Sequence, residues 1–152
     1  MLSAIGKNVE EMANEHKTRF AARLRELVDT RSVTFVGEEA KQGVCTAASQ
    51  LPINWANIDM PLAERHARGI PDDYAGNLAY AEADRTRWDC EREEHMFDQI
   101  QSNRADATSI MIVCGGHHLH NLRARLICEA DTVTHEDVTT ADWFDPFVSQ
   151  FL

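Results

Sequence analysis

Hydrophobic positions along the chain follow two spacings, one helical and one extended. From Ile5 to Thr30, Ile5, Val9, Met12, Phe20, Leu24 and Leu27 stand mostly three or four residues apart between charges such as Arg19, Arg23 and Glu26, which predicts an amphipathic helix. Ser32-Val33-Thr34-Phe35-Val36 is β-branched and aromatic and stops at Gly37, as a buried strand running into a turn does. Residues Ala40 to Leu51 are Ala-rich and helix-compatible up to Pro52, and Asn54 to Asp59 reads as a second strand. An irregular stretch follows from Met60, with a short helix over Leu62 to Arg68 and a loop through Gly69 to Asp73. A long helix is predicted over Asn77 to Asn103, where Trp88, Arg92, Met96 and Ile100 recur every fourth position. Ser109 to Cys114 is the most apolar run, and its continuous character predicts a central parallel strand covered on both faces. His117 to Glu129 reads as a helix with Leu119, Leu122, Leu126 and Ile127 inward, and Thr132 to His135 as a further strand. Trp143, Phe144, Phe147 and Phe151 have the spacing of a short docked helix.

Helices alternating with strands, joined by crossovers long enough to be helical, predict an α/β fold: a small, mostly parallel sheet flanked by helices, with a long N-terminal amphipathic helix. At 152 residues the chain suits one domain, with residues 1–31 as the N-terminal helix, 32–135 as the sheet-and-helix core and 136–152 as the docked tail. No run reaches the roughly 20 apolar residues of a membrane span, so no membrane is expected. Met1 to Lys7 lacks the layout of a secretory signal, which makes the cytoplasm the expected location. The four cysteines form no CxxC pair and read as reduced, mostly buried thiols. A formal net charge of -10 opposes a phosphate backbone, so the expected partner is a small-molecule ligand or a protein and not nucleic acid. A third reading has the N-terminal helix and the aromatic tail building a homo-oligomer.

In an open parallel sheet ligands bind beyond the carboxyl ends of the strands. Gly37-Glu38-Glu39 and Gly115-Gly116-His117-His118 both fall on that edge. The glycines permit a tight strand-to-helix turn whose amides suit an anion, so Gly115 and Gly116 join Glu39, Asp59 and Arg65 as expected substrate contacts. The turn is not a GxGxxG, Walker or GxSxG motif. Adjacent His117 and His118 diverge by about 100 degrees on a helix, so one of them is expected to serve the site, while His120 shares the face of His117. His117, His120 and Glu38 are therefore the expected ligands of a divalent metal, if one is bound at all. Without a metal, Glu38 can orient His117 as a base, with Arg92 pairing a carboxylate or an anionic substrate group. Cys114 as a nucleophile is the weaker idea, because a cysteine ending an apolar strand is usually buried and inert.

The order of these features resembles the superfamily of erythromycin-esterase-like, ChaN haem-binding and TraB/Tiki proteins. The resemblance lies in a strand ending in Gly37-Glu38-Glu39, a helix carrying Arg92-Glu93-Glu94-His95-Met96, and a late strand ending in Gly115-Gly116-His117. It spans residues 32 to 126 and implies site roles for Glu38, Arg92 and His117. Where that pattern has a histidine after the first Gly-Glu, this chain has Glu39, Ala40, Lys41 and Gln42. Together these readings predict a small hydrolase-like enzyme acting on an ester, amide or similar bond, or else a non-catalytic ligand-binding or protein-interaction module derived from such a fold.

Overall fold

A computed structural model describes residues 9–128 and 132–137. Helix α1 (Val9–Arg31) is followed by strands β1 (Phe35–Glu38) and β2 (Asn54–Asn57), and then by helices α2 (Leu62–Ala67) and α3 (Glu82–Asn103). Strand β3 (Ile110–Val113) and helix α4 (Gly116–Ile127) complete the order. The strands form one parallel sheet in the order β2-β1-β3, pairing Phe35 with Asn54 on one side and with Ile110 on the other. This is the predicted α/β class with a long first helix.

Side chains alternate across the sheet, and each face has its own core. Val36, Trp55, Met111 and Val113 point to one face and pack with Leu24, Phe20 and Val28 of α1 and with Ala48 and Leu51. Ile58, Ile110, Ile112 and Cys114 point to the other, against Met96 and Ile100 of α3 and Leu122 and Leu126 of α4. A third cluster, Met60, Ile70, Tyr74 and Trp88, seats the 60–80 segment on the first half of α3, with Tyr74 edge-on to Trp88 at 5.3 Å.

Several boundaries differ from the sequence reading. Residues 40–51 form no helix beyond a single 3-10 turn at Ala48–Gln50, because Gly43 takes a positive φ and Thr46 and Ser49 spend their hydroxyls on local backbone. Strand β1 starts later and includes Glu38. The long helix starts at Glu82, after turns through Asn77 to Ala81. The central strand is β1, buried at every position, whereas the more apolar β3 lies beside it and is half-buried. Cover from helices on both faces makes β3 apolar on both sides, and this does not decide its place in the strand order. Residues 132–137 form no strand. The expected aromatic tail helix and the segment before Val9 lie outside the described residues.

Candidate functional site

The centre of the site is Glu39, the first residue past β1. Strand alternation sends Glu38 to the α1 face, where its Oε2 accepts hydrogen bonds from Trp55 Nε1 (2.8 Å) and Thr46 Oγ1 (2.5 Å). Glu39 turns instead to the face of α3 and α4. Its backbone N–H is fixed by the Val113 carbonyl (2.8 Å), its Oε1 accepts from Arg92 Nη2 (2.8 Å), and its Oε2 from the Gly115 amide (2.7 Å). Arg92 Nη2 also reaches Asp59 Oδ1 (2.8 Å), while Nη1 donates to the Tyr74 hydroxyl (3.1 Å). Arg65 pairs with the other oxygen of Asp59 and donates from Nε to the Met60 carbonyl (3.0 Å). Tyr74 in turn donates to Asp89 Oδ1 at 2.6 Å.

The electrostatics follow from this network. Burial pushes the Glu39 carboxyl up, but the Gly115 amide, His118 and Arg92 outweigh it and hold the group below its ordinary 4.5. Burial opposes the charge on Arg92, yet its bonds to Asp59 and Tyr74 keep the guanidinium above its ordinary range. Burial and the bond to Asp89 raise Tyr74 to about 12, so the phenol is protonated near neutrality and can donate.

His118 is fully buried, at 0% exposure. Its Nδ1 lies 2.9 Å from Glu93 Oε1. Its Nε2 is buried with no hydrogen-bond partner, 3.5 Å from Glu39 Oε1 but not aligned for a bond. A carboxylate at Nδ1 favours the tautomer with the proton there and a lone pair on Nε2. His117 is more open, and its ring centre lies 3.8 Å from that of His118. Burial and the adjacent His118 lower its pKa from 6.5, against the attraction of Glu39 and Asp89. Ligand atoms of Glu39, His117 and His118 all lie within 4.8 Å of one another. The neighbouring imidazoles converge, contrary to the sequence expectation, because they occupy the first turn of α4. Side chains there lean toward the helix N-terminus with no preceding turn in the way. Gly115 leaves them room: a Cβ at that position would come within 3.1 Å of His117 Cε1 and 3.3 Å of Glu39 Oε2.

The expected trio therefore does not assemble as predicted. Arg92 is in the cluster and His117 at its edge, but Glu38 belongs to the opposite face of the sheet, and its neighbour Glu39 occupies the central place. The expected metal set of His117, His120 and Glu38 is also replaced: His120 is exposed, and the group that comes together is Glu39, His117 and His118. Gly115 gives its amide to Glu39, so that N–H is not free to hold developing charge on a substrate. Gly116 is exposed beside it. Asp59 and Arg65 form an ion pair behind Arg92 and do not line the cleft. Burial and the carboxylates of Glu39 and Glu93 push the Cys114 thiol up to about 11, which removes thiolate chemistry near neutral pH.

Tyr74, Asp89 and Glu93, which the sequence reading did not place in the site, complete it together with His118, the member of the histidine pair that was not chosen. His118 had a signal, since counting back by fours from Leu126 and Leu122 lands on it. Beside His117 a cleft of about 470 Å³ opens, lined also by Tyr74, Gly76, Glu82, Arg85 and Asp89. Fold and site thus define a small parallel α/β protein with a carboxylate–imidazole centre at its strand ends. No family model matches the chain, and no similar curated protein or solved structure was found.

Proposed function

We propose that the chain is a small metal-dependent hydrolase-like enzyme, with a divalent cation held by Glu39, His117 and His118 at the head of the cleft. The observation that carries this reading is His118: a buried imidazole with Nδ1 against a carboxylate and Nε2 unpartnered beside Glu39 has the form of a metal ligand with its orienting partner. Two histidines and one carboxylate are also the donor set of catalytic zinc sites that keep a coordination position open. A bound cation would supply an acidified water and a polarised carbonyl.

The chain's own residues have separable tasks in this reading. Glu93 fixes the ring of His118, and Arg92 with the Gly115 amide fixes Glu39. Asp89, anchored by Tyr74 and 4.0 Å from His117 Nε2, faces the cleft and can take and return a proton during cleavage of an ester or amide. Since His118 has no exposed surface, a metal-free mechanism that needs it to touch substrate is disfavoured.

Calorimetric titration of the metal-free chain with Zn2+ tests the reading. One equivalent should bind, and His118→Ala or Glu39→Gln should weaken binding at least about tenfold, while Glu38→Gln and His120→Ala leave it intact. Failure of the wild type to take up Zn2+ would favour the non-catalytic binding module.

A further inference from the structure

Arg85 and Glu82 are the charged cleft residues that the centre described above does not use. Two carboxylates stand within helical reach of Arg85 on α3, Glu82 three positions before and Asp89 four after, a spacing at which Arg–carboxylate pairs commonly form. It pairs with neither, and its Nε is buried without a hydrogen-bond partner. Arg65 and Arg92, by contrast, are both bonded to carboxylates. A guanidinium left unpaired in a cleft flanked by two carboxylates is suited to a ligand that brings its own anion. A purely anionic ligand would meet Glu82 and Asp89 on either side, and a purely cationic one would meet Arg85. Along this face of α3 the charges run negative, positive, negative, separated by about 4.5 and 6 Å of helix rise.

We infer that the cleft takes a small zwitterion of the amino-acid type, with its carboxylate on Arg85 and its amine on Glu82. The volume of about 470 Å³ falls in the range of small-molecule sites, roughly 300–1,000 Å³. The inference deepens the hydrolase reading by naming its substrate class: a compound whose amino-acid end rests along α3 while the bond to be cleaved lies toward His117. The binding step itself involves only Arg85 and Glu82, so it can be measured without metal.

The test is an NMR titration of the metal-free chain, prepared by dialysis, with glycine, acetate and methylammonium, following the side-chain Nε–H resonance of Arg85 and, in every variant, the backbone amide resonances of the cleft residues 74–76 and 82–89. Glycine should move that resonance and bind at least about tenfold more tightly than either half-ligand, and Arg85→Gln should remove the gain. Equal binding of acetate and glycine, or no shift with any of the three, overturns the inference. Glu82→Gln, an exposed change that leaves the fold intact, should weaken glycine but not acetate; weakening of neither also counts against the zwitterion. Binding of glycine in a chain that fails to take up Zn2+ would sink the metal reading and leave this one standing.

Discussion

Glu39 and His117 are the residues through which acid should reach the fold. Glu39 titrates below its ordinary 4.5 and His117 below 6.5, so for each the folded value lies under the unfolded one. The unfolded chain therefore takes up protons first. The stability each group contributes is complete above its ordinary value and is lost as pH falls through its folded value. The melting temperature should accordingly decline on acidification, first below about 6.5 and again below about 4.5. Glu39→Gln should flatten the lower decline, and melts in buffers from neutral pH to about pH 3 would show whether it does. An acid limb identical to the wild type would mean that Glu39 is not the group responsible. At this scale the sequence disclosed residue types better than positions. Arg92 stood out because it breaks an apolar stripe, but the choice between Glu38 and Glu39 depends on which face of β1 meets α1. One residue of register reverses that answer, and nothing local fixes it.

Among the elements, β1 is the most constrained, since it is flanked by strands on both sides and covered on both faces. Gly37 lies where β1 passes under the second core, and a Cβ there would stand 3.0 Å from Ile58 Cγ2 and 3.1 Å from Ile112 Cδ1. Both neighbours are branched residues of a packed core with little room to move. Gly37→Ala should therefore cost about 1–3 kcal/mol in urea denaturation, and an unchanged midpoint would show that the core yields easily. Helices with sustained periodicity were legible within a few residues. The stripe of Trp88, Arg92, Met96 and Ile100 is buried as its spacing implied. Residues 40–51 misled because alanine content signals only a weak helical preference. Local hydroxyl–backbone bonds and a left-handed Gly43 outweigh it. Strand order was not legible, because both the central and the flanking strands are apolar when helices cover the two faces.

For the whole molecule, the site joins β1, α3 and the β3–α4 turn, and the proposed cation would bind to the folded state alone. Zn2+ at about a hundred times its dissociation constant should stabilise the fold by about 2.7 kcal/mol. For a chain of 152 residues this raises the melting temperature by roughly 5–11 °C. Thermal melts with Zn2+, reversed by a chelator, measure that shift, and no shift at saturating metal would argue against a built site. None of the helices among the described residues is long and apolar enough to cross a membrane. The bond from the Gly115 amide to Glu39 spans 76 residues of sequence. Its consequence concerns the making of the protein. Glu39 leaves the ribosome long before the turn that completes its surroundings. A chain halted before His117 would carry the carboxylate without its partner imidazoles, so competence to hold a metal would mark a chain whose sheet has closed on β3.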